Sequence, residues 1–324
     1  MRLLLLLTFA TFYLQAAAQL QTSILPRDTS YTVYQSLLKV RKAYPGVRVA
    51  EAKLVEGVAA FRQLTYASFT SSRGVRELHL DIFRPEGGAK LPAIIMVHGG
   101  GWRSGDKSMQ VPFAIAMAQK GYVAIPIEYQ LSLEAAYPAA VCNIKAAARW
   151  VRDNAERFGI DTSRIGISGC SAGGQLAALV GLTSDTKQFG DVSCVNSGSF
   201  KAIVIVDGVV DFLAPASLNL ERKANAADVA WLGGTFLDRP AVWKEASPIY
   251  WLRKNSPPIL FINSGIKRFH AGQDEMVGML KEYGIYHEVH SMNVSIHPFW
   301  LFHPWFMPTV SYMGSFFDKT LKHP

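Results

Sequence analysis

The sequence has few cysteines, few charged residues and no nucleic-acid-binding motif. Three cysteines in 324 residues are too few for a disulfide framework, and their spacing does not fit a zinc site. Charged residues make up 18% and hydrophobic residues 49% of the chain, which excludes a disordered protein and provides the core of one large domain. The net charge is +8, but the basic residues are scattered, so no nucleic-acid partner is expected.

The apolar stretch at the start of the chain is too short to span a membrane. Leu3–Leu14 contains about twelve residues, whereas a bilayer requires roughly 20. Met1-Arg2 before it and Ala16-Ala17-Ala18 after it complete the pattern of a cleaved secretion signal. We therefore expect residues 1–18 to be removed before Gln19, leaving no membrane span, and the protein to be secreted or periplasmic.

The compartment determines what the three cysteines can do. In an oxidising compartment Cys142 and Cys194 could pair, although nothing in the sequence requires it. Cys170 lies inside a glycine-rich turn, where we expect it to be buried and free.

The remaining chain alternates between strands and helices. Residues 19–60 form an N-terminal extension with one helical stretch, Tyr31 to Lys42, and residues 61–324 form the main domain. Continuous apolar runs separated by helices indicate parallel strands that are buried on both faces, so we predict a single α/β domain with a mainly parallel central sheet flanked by helices. The predicted strands are Phe61–Phe69 and Val75–Phe83, which form a hairpin, then Pro92–Val97, Tyr122–Ile127, Lys201–Val206, Pro258–Asn263 and Tyr286–Met292.

A glycine-rich turn connects a further strand to a helix between Arg164 and Ala178. Its centre is Gly169-Cys170-Ser171-Ala172-Gly173, which has the spacing of a nucleophile elbow. In such an elbow a strained turn exposes the serine hydroxyl at the carboxyl edge of the sheet, and tiny neighbours let strand and helix pass closely. The pattern predicts that Ser171 is a nucleophile, although it also occurs by chance in glycine-rich loops.

Three consecutive glycines follow the buried strand Pro92–Val97, in His98-Gly99-Gly100-Gly101-Trp102. Glycines let backbone N–H groups approach a ligand closely, and such groups stabilise the oxyanion that forms during ester hydrolysis. The loss of one donor typically raises the barrier by about 3–4 kcal/mol. Because glycines have a high conformational entropy cost, their position directly after a core strand favours this function over a merely flexible loop.

The two motifs in this order resemble those of α/β-hydrolases of the hormone-sensitive-lipase-like esterase group. They also resemble the related secreted carbohydrate esterases, such as acetylxylan and feruloyl esterases. Glu128–Ala140 is similar to a further stretch of that family, and the resemblance spans roughly residues 75–320. It implies an α/β-hydrolase fold for the domain over residues 61–324.

The resemblance also implies roles for the residues around the serine. The oxyanion donors would be the backbone N–H groups of Gly100, Gly101 and Ala172, and His98 would be structural. The family places its catalytic histidine after the last strand, followed by an aromatic residue. His297 fits this position as the general base, and His303 is the competitor.

The acidic member of a serine–histidine–acid triad is not obvious from the sequence. Related esterases usually place an aspartate just after the strand that corresponds to Pro258–Asn263, but here the first carboxylate in that loop is Asp274. We predict Asp274 as the acid, with Asp211 and Glu275 as alternatives. Arg268 and His270 in the same loop are candidates for lining the substrate site.

These residues indicate a serine esterase that acts through an acyl-enzyme and needs no metal or organic cofactor. The resemblance implies removal of acetyl or feruloyl groups from plant polysaccharide. The alternatives are a general carboxylesterase or lipase-like enzyme on small esters, a serine peptidase, and a catalytically impaired binding protein. The substrate is a small-molecule or polysaccharide ester, and the oligomeric state is left open. Candidates for stacking on sugar rings are Trp231, Trp243, Trp251, Trp300 and Trp305.

Overall fold

The computed structural model describes residues 28–71 and 74–323. The predicted secretion signal, residues 1–18, lies outside these ranges, as do residues 19–27 of the extension. Within the described ranges, no helix has both the length and the apolar character needed to cross a membrane.

Eight of the strands form one twisted sheet. The strands of the described chain are β1 Arg48–Val49, β2 Val58–Ser71, β3 Gly74–Pro85, β4 Leu91–Val97, β5 Val123–Ile127, β6 Ile160–Cys170, β7 Gln188–Phe189, β8 Val192–Ser193, β9 Ile203–Val206, β10 Ile259–Asn263, β11 His287–Ser291 and β12 Phe302–His303. The order across the main sheet is β11-β10-β9-β6-β4-β5-β3-β2. The six strands from β11 to β5 are parallel, whereas β3 and β2 are antiparallel additions.

The helices cover the sheet and connect its strands. The α-helices are α1 Val33–Val40, α2 Val111–Gln119, α3 Ala139–Asp153, α4 Ala172–Leu182, α5 Pro215–Leu218, α6 Ala227–Leu232, α7 Pro240–Glu245, α8 Gln273–Glu282 and α9 Phe306–Phe317. Short 3-10 helices lie at Lys107–Gln110, Pro248–Trp251, Lys267–His270 and Phe299–Leu301, and a π-helical turn at Asp318–Lys322.

The strand patterns of the sequence explain this sheet. The five residues of β5 and the four of β9 are all buried, as expected for parallel strands with helices on both faces. The predicted hairpin forms from β2 and β3, in which Thr70 pairs with Val75 across the turn. The prediction of an α/β fold with a mainly parallel sheet is therefore confirmed.

The core has one apolar cluster on each face of the sheet. Ile144 of α3, Leu176 of α4 and Trp231 of α6 belong to one cluster. Phe113 of α2 and Phe317 of α9 belong to the other. Each such side chain contributes about 1.5–3 kcal/mol when fully buried, so these clusters fix the helices against the strands whose ends carry the site.

Helix α3 is shorter than its sequence pattern suggests. The sequence predicts one long helix from Tyr137 to about Phe158, which Gly159 ends. Buried Ala140, Val141 and Ile144 follow its helical spacing, but the helix ends at Asp153. At its C-cap, both the backbone N–H and Nδ2 of Asn154 donate to the carbonyl of Trp150.

The described part of the N-terminal extension packs against the domain. Leu37 and Val40 of α1 are buried in the second core cluster. Strand β1 pairs with β12, with Arg48 opposite His303. This packing brings the chain just before α1 close to the carboxyl edge of the main sheet, beside the functional site described below.

Cys142 and Cys194 form a disulfide, with 5.0 Å between their Cα atoms. The bridge closes a loop of 52 residues that contains β6, Ser171 and α4. Cys170 is buried and free, and burial raises the pKa of its thiol to about 12, so that it remains a neutral thiol.

Candidate active site

Ser171 lies at the sharp turn between β6 and α4, with φ +55° and ψ −124°. An L-residue rarely adopts this conformation, and the surrounding glycines make it possible. A Cβ atom on Gly169 would clash with the carbonyl oxygen of Gly173, and one on Gly173 would clash with that of Val97. The turn therefore needs glycine at both flanking positions, as the elbow spacing predicts.

His297 contacts the serine directly. Its Nε2 lies 2.7 Å from Oγ of Ser171, so the hydroxyl can donate its proton to the imidazole. Phe269 stacks on the ring with the centroids 3.3 Å apart, and Trp300 contacts it edge-on at 5.0 Å. His303, the alternative base, instead lies in β12 opposite Arg48.

The carboxylate that orients His297 belongs to Asp207. Nδ1 of His297 lies 2.9 Å from Oδ2 of Asp207, and since an ionised carboxylate can only accept, the imidazole N–H donates this bond. The other oxygen, Oδ1, accepts the backbone N–H of Ser264 at 2.7 Å. The Asp207 side chain is fully buried, and the residue has φ +47° directly after β9.

The prediction of Asp274 as the acid is wrong in this structure. Asp274 is exposed in the first turn of α8, as is Glu275, while Asp207 already occupies Nδ1 of the imidazole. Asp211, the other alternative, accepts the backbone N–H of Leu213 instead.

Strand order gives the physical reason. β9 lies between β6 and β10, so the residue that follows β9 is next to the serine turn. The loop after β10 begins with Ser264 and contains no carboxylate before Asp274. It then forms the 3-10 helix Lys267–His270, which puts an aromatic ring rather than a carboxylate against His297. The alternative of a catalytically impaired binding protein was based on the lack of an obvious acid in the sequence. Asp207 supplies that acid.

Two opposing effects set the protonation of His297. Burial is the largest and lowers the pKa of the imidazole below its usual 6.5, and the positive charge of Arg268 acts in the same direction. The hydrogen bond and the negative charge of Asp207 raise the pKa and offset part of this shift. The net lowering keeps His297 neutral at pH 7, which is the form that accepts a proton from Ser171.

The predicted oxyanion donors surround the serine. A Cβ atom on Gly99 would lie 3.1 Å from that of Ser171, so the glycine loop touches the nucleophile. Among residues 28–71 and 74–323, no acceptor takes the N–H groups of Gly100, Gly101 or Ala172. These groups are therefore available to stabilise negative charge beside Ser171.

Hydrogen bonds hold the glycine loop in place. The carbonyl of His98 accepts a bond from the Tyr129 hydroxyl at 2.9 Å, and the two rings stack. Nε1 of Trp102 donates to Gln175 in α4 at 2.9 Å. His98 is thus buried beneath the loop, in agreement with the structural role implied for it.

Two cavities flank Ser171. One, of about 240 Å³, has an apolar wall formed by Trp102, Val209, Phe212 and Leu220. The other, of about 270 Å³, includes His297 and residues of the N-terminal segment. The residues that border the second cavity are Asp28, Ser30, Tyr31, Gly100, Gly101, Arg103, Ser104, Ser171, Ala227, Phe269 and His297.

Several of these residues were not predicted from the sequence. Trp102 lines the first cavity and stacks on Trp231, whereas Trp231, Trp243 and Trp300 are buried and unavailable to a sugar. Oδ2 of Asp28 lies 2.6 Å from Nε of Arg103, and this ion pair holds the N-terminal segment against the chain next to the glycine loop. In the part of the chain that the structure describes, no group of three or more His, Cys, Asp or Glu residues could hold a metal ion.

Comparison with known families agrees with this geometry. The BD-FAE family model matches residues 80–281 of the chain. The chain belongs to the BD-FAE family. Its resemblance to the α/β-hydrolase esterases, first suggested by the glycine loop and the serine elbow, is thereby confirmed.

Curated relatives of this BD-FAE protein include two esterases of Mycobacterium tuberculosis. Esterase LipC is 31% identical over 188 residues, which are 57% of this chain and 47% of LipC. Esterase LipQ is 29% identical over 220 residues, 65% of this chain and 50% of LipQ. The chain thus spans about half the length of these curated relatives.

Solved structures confirm the α/β-hydrolase fold of the BD-FAE protein. A truncated carbohydrate esterase from gut microbiota aligns with a TM-score of 0.68 at 24% identity, over 83% of this chain and 99% of that one. A hyperthermophilic esterase from the archaeon Pyrobaculum calidifontis aligns with a TM-score of 0.67 at 24% identity, over 89% and 90%.

Proposed function

We propose that this protein hydrolyses carboxylic esters through an acyl-enzyme formed on Ser171. The hydrogen-bonded chain from Ser171 through His297 to Asp207 carries the proposal, because a serine needs such a base to become a nucleophile at neutral pH. The esterase names of its relatives support the same reaction class.

The geometry supports a two-step mechanism. Oγ of Ser171 attacks the ester carbonyl while Nε2 of His297 takes its proton, and Asp207 stabilises the imidazolium that results. The N–H groups of Gly100, Gly101 and Ala172 are available to stabilise the developing oxyanion. His297 then protonates the leaving alcohol, and the acyl-enzyme is hydrolysed by a water molecule that His297 activates in the same way.

The two cavities take different halves of the ester. His297 must reach the leaving oxygen in order to protonate it, so the alcohol occupies the cavity that His297 borders. The acyl group extends to the other side of Ser171, into the cavity that Trp102 and Phe212 line. At about 240 Å³ this cavity is smaller than a typical drug-sized pocket of roughly 300 Å³ or more, which favours a short acyl group.

The substrate we propose is a short-chain ester, such as an acetyl group, on plant polysaccharide. Asp28, Ser30 and Arg103 border the alcohol cavity and offer hydrogen-bonding groups to a hydroxyl-rich alcohol. The similarity in fold to a carbohydrate esterase agrees with this choice. Feruloyl esters and simple small esters are the competing substrates.

We also propose that the protein is exported. Its N-terminal residues have the pattern of a cleaved signal, and a disulfide such as Cys142–Cys194 is typical of proteins in oxidising compartments. Sequencing the N-terminus of protein recovered from the culture medium or periplasm tests this proposal, with cleavage before Gln19 expected. Retention in the cytoplasm with Met1 still attached would contradict it.

The decisive variant for the reaction is Ser171→Ala. It should lower the rate of ester hydrolysis about a millionfold and abolish labelling by an active-site fluorophosphonate, since the nucleophile is lost. Ser315→Ala, the same change at an exposed position of α9, should retain both properties. Rapid turnover by Ser171→Ala, or failure of the wild-type protein to label, would overturn the proposal.

A substrate panel then defines the specificity. Acetate release from acetylated xylan, ferulate release from feruloylated saccharides and cleavage of peptides are compared with hydrolysis of simple acetate esters. We expect the acetylated saccharide to give the highest kcat/KM. Peptide cleavage without ester hydrolysis would point to a peptidase instead.

A further inference from the structure

Arg268 lies beside the triad but is not one of its three members. It belongs to the 3-10 helix Lys267–His270, and its guanidinium carbon is 4.4 Å from the ring centroid of Phe269. Phe269 in turn stacks on His297. The Arg268 side chain is exposed, yet it also lines the cavity of about 240 Å³ next to Ser171, so it lies where that cavity opens to solvent.

Charge pairing in this cavity is incomplete. Four charged side chains line it, and three of them have partners. Arg222 pairs with Asp228 at 2.7 Å, and Asp207 holds His297. Within the described residues, Arg268 has no carboxylate at ion-pair distance, so the cavity carries one cation that the protein itself does not neutralise.

The position of this cation relates it to the acyl half of the ester. Arg268 lines the cavity assigned to the acyl group and does not border the cavity that contains His297. The walls near Ser171 are apolar, with Trp102, Val209 and Phe212 among them. An acyl chain that follows these walls outward would therefore pass from an apolar surface to a guanidinium.

We propose that Arg268 is a specificity-determining residue that favours esters whose acyl group ends in a carboxylate, such as half-esters of short dicarboxylic acids. The inference rests on the proposed function, because it concerns substrates of the same serine. A guanidinium binds a carboxylate by charge-assisted, often bidentate, hydrogen bonds, which gives it geometric selectivity as well as attraction. An acetyl group has no carboxylate for Arg268 to bind.

Three esters test this preference: monoethyl glutarate, ethyl valerate and ethyl acetate. The first two have acyl chains of matched length and differ in whether the chain ends in a carboxylate or a methyl group. We expect Arg268→Gln to lower the ratio of their kcat/KM values, glutarate over valerate, about tenfold. The kcat/KM for ethyl acetate is measured beside them and shows how far the variant alters the triad itself, an effect that cancels in the ratio. Added salt should weaken the glutarate preference of the wild-type protein alone.

The matched control is Lys267→Gln, which removes the same charge one residue away. Lys267 is exposed and does not line either cavity beside Ser171. All rates are compared at about pH 8, where His297 is neutral in every variant. The ratio should remain unchanged in Lys267→Gln, which would assign the preference to Arg268 rather than to the general positive charge.

The rates of the three esters distinguish an error in this inference from an error in the proposed function. If the wild-type protein hydrolyses all three esters but Arg268→Gln leaves the glutarate-to-valerate ratio unchanged, this inference is overturned and the esterase proposal stands. An equal fall of the ratio in Lys267→Gln would also overturn it. If none of the three esters is hydrolysed, the proposed function is wrong, and so is this inference, because it depends on that function.

Discussion

Asp207 is held by two hydrogen bonds, one from the imidazole of His297 and one from the backbone of Ser264. Asp207→Asn would keep the shape of the side chain but present an amide to Nδ1 and favour the wrong imidazole tautomer. We expect kcat for a simple acetate ester to fall about ten-thousandfold. Steady-state kinetics and a thermal melt of the same preparation would separate lost catalysis from lost folding.

The control for this prediction is Asp274→Asn. Asp274 is exposed at the start of α8, so its substitution should change kcat by no more than about twofold. If Asp274→Asn were the more damaging variant, the assignment of Asp207 would be wrong.

Arg268 also affects the pH dependence of the reaction. Its charge lowers the pKa of His297, so Arg268→Gln should raise that pKa toward the ordinary histidine value. Since His297 must be neutral to act as a base, the acid limb of kcat/KM should move to higher pH, while the plateau above it stays the same for ethyl acetate. An acid limb that stays in place or moves to lower pH would contradict the role assigned to this charge.

Of the three triad residues, the nucleophile and the base could be identified from the sequence, but the acid could not. Ser171 and His297 lie in local patterns, a glycine elbow and a loop after the last strand. Asp207 has no surrounding motif, and its role depends on β9 lying next to β6, which is a property of strand order. One local signal was present: Asp207 directly follows the buried strand β9, as Ser171 directly follows β6.

The loop His98–Trp102 is the element whose role can be tested most directly. Gly100 has φ +126°, and a Cβ atom there would clash with the carbonyl oxygen of Ser104. Gly100→Ala should therefore shift the loop and misplace its N–H groups, with kcat falling about 100- to 1,000-fold and KM changing little. Kinetics with an acetate ester measure both parameters.

Gly278→Ala is the matched control for the loop variant. Gly278 lies in α8, and a Cβ atom there meets nothing within 4 Å. This variant should keep full activity and be slightly more stable, because alanine favours a helix more than glycine does. Equal kinetics for the two glycine variants would show that the loop does not hold the oxyanion.

Most elements were predictable because their patterns are local. Strands β4, β5, β9 and β10 appear as continuous apolar runs, and the hairpin of β2 and β3 follows from their alternation. The ends of elements were less predictable, since helix α3 ends before its helical pattern does. The position of the N-terminal extension depends on pairing between β1 and β12, which are far apart in sequence.

The disulfide acts on the molecule as a whole. It closes a loop of 52 residues, which the chain-entropy model equates with about 4 kcal/mol of stability. The double variant with Cys142→Ser and Cys194→Ser should lose about 2–4 kcal/mol in the free energy of unfolding, measured with urea.

Reduction of the wild-type protein provides the control. A reducing agent should lower its stability to that of the double variant and should not affect the variant itself. A loss below about 1 kcal/mol in the double variant would mean that the unfolded chain gains little freedom when the bridge is absent.

The positions of Asp28 and of the π-helical turn Asp318–Lys322 have a practical consequence for producing and immobilising the protein. Asp28, Ser30 and Tyr31 border the cavity that contains His297, so a fusion partner joined close to them would stand at the substrate entrance. The C-terminal π-helical turn instead contacts Lys120 and Tyr122, which precede β5 and so lie at the opposite edge of the parallel strands. An affinity tag or surface linker is best attached there, because it leaves the substrate entrance facing the solution.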